Sequence, residues 1–219
     1  MSKRLLQGSG RSREASATKG TARYRHGGIG EGWDINNCSR KIIGARFYYA
    51  GVDEKALKLD YLSPRDVDGH GTHTASTAGG SVVEAVSFHG LAAGTARGGA
   101  PRARIAVYKS LWGRGGVEDG NAATVLAAID DAIHDGVDVL SLSLYIDEEN
   151  LFGALHAVQK GITVLYSAGN SGSAPQVLEN TAPWVITVAA SKIDRSFPTV
   201  ITLGDKRQIV VRATNAKPY

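Results

Sequence analysis

A histidine held between two glycines, His70 in the run D-V-D-G-H-G-T-H-T-A-S-T-A-G-G from Asp66 to Gly80, is the side chain of this sequence best mounted to move a proton. Gly69 and Gly71 carry no Cβ, so the backbone can turn sharply and another segment can pass close to the imidazole. Thr72 to Ala78 reads as a short helix of small side chains with His70 at its N-terminus. There the helix dipole disfavours the imidazolium and keeps the ring in the neutral form from which a general base starts. A glycine-flanked histidine is equally the mark of a structural turn, and the residues alone leave both readings open. The second candidate is Asn170 in Ser167-Ala168-Gly169-Asn170, at the carboxyl end of a predicted strand, where its amide can donate to a developing oxyanion. An A-G-N run also makes a plain turn. Base and oxyanion donor are two of the four parts that acyl transfer through serine requires. The other two are a hydroxyl nucleophile and an acid that orients the base.

The elements that must carry these residues alternate between strand and helix. Lys41 to Tyr49, Ser81 to Phe88, Arg104 to Lys109, Val137 to Leu144, Ile162 to Tyr166 and Trp184 to Ala190 read as strands, rich in β-branched and aromatic residues. Asp119 to His134 places Val125, Ile129, Ala132 and Ile133 on one helical face, with Gly136 where a C-cap would stand, and Leu151 to Lys160 reads as a second helix. Gly90 to Pro101 is expected to be a glycine-rich link, Trp112 to Gly116 a turn, and Thr199 to Val211 a hairpin turning at Gly204-Asp205-Lys206. The pattern predicts an α/β fold: a parallel sheet with helices on both faces and ligands gathered beyond the carboxyl ends of the strands. Ile105 to Tyr108, Val137 to Leu144 and Ile162 to Tyr166 are expected to be adjacent in it, with His70 and Asn170 on one edge.

Composition narrows the class. The chain has 219 residues, 42% hydrophobic and 21% charged, which suits a globular domain. No run of eighteen apolar residues exists to span a membrane, and Leu5-Leu6 after Lys3-Arg4 falls far short of a signal-peptide core. The net charge of +4 is unevenly spread. Residues 1–28 carry Lys3, Arg4, Arg11, Arg13, Lys19, Arg23 and Arg25 against Glu14 alone, so this leader is +6 and the remainder −2. The leader is rich in Gly, Ser and Thr, lacks apolar periodicity and is expected to be disordered, with residues 29–219 forming the domain. It lacks the interleaved aromatics of a nucleic-acid-binding segment, and nucleic acid is not expected as a partner. Cys38 is the single cysteine, so no internal disulfide is available. His73 follows His70 by three residues; a zinc-protease helix spaces its histidines by four with a glutamate beside the first, so no metal is expected.

The string D-x-D-G-H-G-T-H-T-A-S resembles the histidine motif of the subtilisin-like serine proteases, most closely of the plant subtilases. Asn37 to Phe47, Gly90 to Lys109, Asp130 to Leu144 and Ser167 to Gly172 resemble the same family in the same order, and the likeness runs from Gly32 to Gln208. The resemblance implies His70 as the base, Asn170 as the side-chain oxyanion donor, and Ser141, Leu142, Ser143, Leu144 and Tyr145 as the strand that binds substrate backbone, together with Ser167, Ala168 and Gly169. That strand usually ends S-L-G, and Tyr145 stands where glycine would leave room for substrate. It further implies an extracellular endopeptidase acting on polypeptides without an organic cofactor. The family's D-[ST]-G and G-T-S-[AM] motifs do not occur. Asp34 lies 36 residues before His70, but its context, W-D-I-N-N-C, matches the loop that follows the family's aspartate motif, and it is not taken as the orienting acid. The expectation is a portion of a catalytic domain, inactive as it stands. The alternative is a non-catalytic binder that keeps the substrate groove as a decoy.

Overall fold

The computed structural model describes residues 5–8, 30–145, 152–191 and 198–212. Two compact units emerge: Met1–Ser81 with Arg97–Ala190, and Val82–Ala96 with Ser191–Tyr219. The second consists of two hairpins. In one, β3 (Val83–Phe88) pairs with β4 (Leu91–Ala96); in the other, β11 (Pro198–Thr202) pairs with β12 (Gln208–Arg212) around the expected Gly204-Asp205-Lys206 turn.

The first unit holds the sheet. It contains β1 (Leu5–Gly8), β2 (Ile42–Phe47), β5 (Ile105–Lys109), β8 (Val139–Leu142), β9 (Thr163–Ser167) and β10 (Ile186–Val188), in the order β10-β9-β8-β1-β5-β2. Five strands run one way and β1 runs against them, antiparallel to both β5 and β8. Side chains of β5 alternate between two cores. Ile105 and Val107 join Ala45 in a cluster that Ala75 of α2 (His70–Gly79) packs against. Ala106 and Tyr108 join a larger one, built with Val125, Ala128, Ile129 and Ala132 of α3 (Ala122–Asp135) and with Ala154 and Ala157 of α4 (Phe152–Gln159). Helices therefore cover both faces, as the alternation of strand and helix patterns requires.

Local chemistry fixes the helix ends. Asn121 and Thr124 form a reciprocal capping box at the start of α3, Gly136 closes its end, and the Thr124 hydroxyl donates to Ser110 O at 3.0 Å, tying the helix to the end of β5. α2 runs against the strands. Its last residue, Gly79, packs on Ile105 at the start of β5, and Lys41, just before β2, donates from Nζ to Gly79 O at 2.8 Å. His70, at the other end of a helix about 15 Å long, is thereby carried to the carboxyl edge of the sheet.

Three expectations are corrected. β5 and β8 are not neighbours: Leu5–Gly8 lies between them. Without it, two central strands would face each other with unpaired N–H and C=O groups, and the only two leucines of the leader fall in this strand. The link Gly90 to Pro101 contributes β4. The turn Trp112 to Gly116 is part of a hairpin, β6 (Trp112–Arg114) and β7 (Val117–Asp119). A short helix of the first unit, α1 (Glu54–Lys58), packs on this hairpin, with Ala56 against Trp112.

The position of β1 is testable. Leu6→Pro removes one ladder donor and leaves a central carbonyl unpaired, so it should destabilise the chain by about 1–3 kcal/mol in urea and speed exchange of the β5 and β8 amides. Unchanged stability and exchange would place the leader outside the sheet.

Candidate active site

His70 opens α2 and is half-buried, with Nδ1 out of solvent. Its helix is capped by Gly69 at φ 94°, a left-handed conformation that only glycine adopts without strain, so the residue before His70 is set by backbone geometry. Asp66 fixes the turn. Its carboxylate accepts from Asp68 N at 3.1 Å and Gly69 N at 2.8 Å through one oxygen, and from Thr72 N and the Thr72 hydroxyl, each at 2.8 Å, through the other. Burial pushes the Asp66 carboxyl up, but these donors outweigh it and hold its pKa below the ordinary value. A negative charge also sits well at a helix N-terminus.

One residue earlier, Arg65 O accepts from Lys109 Nζ at 2.7 Å, and the same ammonium donates to Asp60 Oδ1 at 2.8 Å. Lys109 is the last residue of β5, so the loop leading into His70 is anchored at the carboxyl end of a central strand. The parallel strands β8 and β9 end on this edge too. β8 leads into Ser143, Leu144 and Tyr145, with Leu144 buried and Tyr145 47% exposed; β9 leads into Ala168, Gly169 and Asn170. Asn170 is exposed and its amide is hydrogen-bonded to none of the described residues.

Comparison with known proteins gives the family. The profile described as "Subtilase family" matches residues 41–217. The chain belongs to the subtilase family. Among curated proteins it is 49% identical over 207 residues to Subtilisin-like protease SBT3.8 of Arabidopsis thaliana, covering 86% of this chain and 27% of the relative. Subtilisin-like protease SBT3.3 of the same plant is 48% identical over 207 residues, with the same coverage. The chain thus spans about a quarter of the length of these relatives. Among solved structures it is similar to Sphericase, with 26% identity and a TM-score of 0.44, over 68% of this chain and 46% of that one.

Within the subtilase sheet, then, the sequence-expected residues fall into one edge group: His70 on α2, Ser141 to Tyr145 at the end of β8, and Ser167 to Asn170 at the end of β9. Asp34 does not join them through its carboxylate, whose Oδ1 accepts from Asn36 N at 2.6 Å in a local turn. His73 is exposed, and among the described residues no three His, Cys, Asp or Glu side chains are grouped to hold a metal. Sequence reasoning missed Lys109, Glu179 and Asn180. The only signal for Asn180 was a polar pair, Glu179-Asn180, between two predicted strands; its contacts lie 13 and 36 residues away.

The depressed pKa of Asp66 gives a signed prediction. The stabilisation its carboxylate provides is fully present above the unfolded pKa and is lost as pH falls through the lower, folded value, so the turn should loosen only below pH of about 4. Amide shifts of Gly69 and Thr72 should titrate together there. In Asp66→Asn this acid limb should vanish and the chain should lose about 1–2 kcal/mol at neutral pH. A wild-type transition well above that pH would contradict the assignment.

Proposed function

We propose that this chain is the base and oxyanion portion of an extracellular serine endopeptidase, with the hydroxyl nucleophile and the orienting acid supplied by sequence outside these 219 residues. One observation carries the reading. The helix end bearing His70 and the loop bearing Asn170 stand on the same carboxyl edge of one parallel sheet, inside one compact unit. On this reading His70 takes the proton of the attacking serine and returns it to the leaving amine, while the amide of Asn170 donates to the oxygen as it acquires charge. The substrate is a polypeptide, extended alongside Ser141, Leu142, Ser143, Leu144 and Tyr145 and bounded by Ser167, Ala168 and Gly169. Family membership supports the reaction class. No helix among the described residues is long and apolar enough to cross a membrane.

Tyr145 bears on specificity. The residue is 47% exposed just beyond β8, and on this reading its ring borders the path of the bound peptide where the family's glycine would leave room. Tyr145→Gly should therefore broaden the side chains accepted at the neighbouring substrate position.

The experiment is active-site labelling with a serine-directed fluorophosphonate. The 219-residue chain should not label. A longer product of the same gene should, and labelling should be abolished in His70→Ala and slowed about 10²–10³-fold in Asn170→Ala, a range itself measured on a subtilisin. Labelling of the short chain that depends on His70 would overturn the division of parts. A long product that labels equally with and without His70 would overturn the function.

A further inference from the structure

β8 and β9 pair in register from Val139 opposite Thr163 to Leu142 opposite Tyr166, and there the ladder stops. Two residues further on, Leu144 would face Ala168 if the pairing continued. Instead the amide of Asn180 lies between the strands. Its Nδ2 donates to Leu144 O at 2.9 Å and to Ser167 O at 2.9 Å, using both its hydrogens on the two chains it separates. β9 meanwhile stays joined to its other neighbour, with Ala168 N donating to Val188 O at 3.0 Å. The parting is therefore confined to the β8 side.

Asn180 is held there firmly. It is 1% exposed, its backbone is left-handed at φ 56°, and its carbonyl accepts from the Thr187 hydroxyl at 2.5 Å. Asparagine is among the few residues with a Cβ that tolerate this conformation. Glu179, beside it, grips the same loop. Its N–H donates to Ala168 O at 3.1 Å, and its carboxylate lies against Gly169, where a Cβ would come within 2.4 Å of the carboxylate carbon.

We propose that Asn180, with Glu179 beside it, is the positioning residue of this site: a wedge that fixes the gap between the strand end at Leu144 and the Ser167–Asn170 loop. The inference rests on the endopeptidase reading for what the gap is for, and on geometry alone for what sets its width. Asn180 touches no reacting atom. It acts by holding two backbone segments, one to receive peptide and one to aim Asn170. With both hydrogens committed, its side-chain oxygen Oδ1 is buried and accepts no hydrogen bond from the described residues. A polar group is thus kept in the interior at a cost, and an amide supplies there, without a charge, two hydrogens on one nitrogen, one for each strand.

Asn180→Asp keeps the shape and the backbone preference but can donate at most one hydrogen bond, and none when ionised. In the full 219-residue chain at pH 7.5, this variant should shift or broaden the amide resonances of Leu144, Tyr145 and Ala168 to Asn170 while those of α2 and α3 stay in place. It should also weaken binding of an extended probe, N-acetyl-tetra-alanine amide, about tenfold. Thr187→Val, which leaves the amide but frees its backbone, should move the same resonances by less, and stands in if Asn180→Asp does not fold. Variants that fold with these resonances and the probe affinity unchanged would overturn the proposal, as would shifts spread evenly over the sheet. If the wild-type chain binds no probe, the endopeptidase reading loses its groove, while the resonances still decide whether Asn180 sets the gap.

Discussion

A charge withdrawn from water organises the edge on which this site stands. The side chain of Lys109 is 4% exposed and that of its partner Asp60 is fully buried, and an ammonium so placed is tolerable only if its protons are all engaged. Asp60 Oδ1, Arg65 O and, at 3.3 Å, Tyr61 O engage them, and the Trp112 ring covers the ammonium at 4.1 Å from its centroid. The loop from Asp60 to Arg65 must therefore fold back onto the end of β5. Asp66 follows immediately, and its four accepted hydrogen bonds carry that fixed position into the first turn of α2. His70 inherits its place from a lysine 39 residues later in the chain.

The opposite half of the edge is built by another means. There a neutral amide, Asn180, bridges two strand ends that would otherwise close on each other or drift apart. The difference suits the role proposed for each half. A general base needs one ring set at one place, which a strong charge-assisted anchor provides. A peptide groove needs two backbones at a constant separation, which a side chain with two donors on one nitrogen provides. Between them the sheet supplies rigidity, buried on both faces by α2 on one side and α3 and α4 on the other.

Much of this was legible in the residues. The face of α3 was visible in the spacing of Val125, Ile129 and Ala132 and its end in Gly136; the strands showed in their β-branched runs, and His70 and Asn170 in glycine-framed motifs. What stayed hidden is non-local. Nothing in Leu5–Gly8 announces a strand until β5 and β8 are known to leave a place for it. β4 is glycine-containing and exposed along its length, so it shows no period to read. Lys109 ends an apolar run and reads as an ordinary solvated terminus of a strand until the loop that buries it is folded. Asn180 lies in a stretch with no pattern, and its importance comes from two carbonyls distant in sequence.

The central claim is that His70 and Asn170 belong to one site. The most direct test is a titration of the 219-residue chain with N-acetyl-tetra-alanine amide, followed on the ring protons of His70 and the side-chain amide of Asn170. A single site predicts that both signals move along one isotherm with one dissociation constant. Movement of Asn170 with His70 silent, or two separate isotherms, would contradict it.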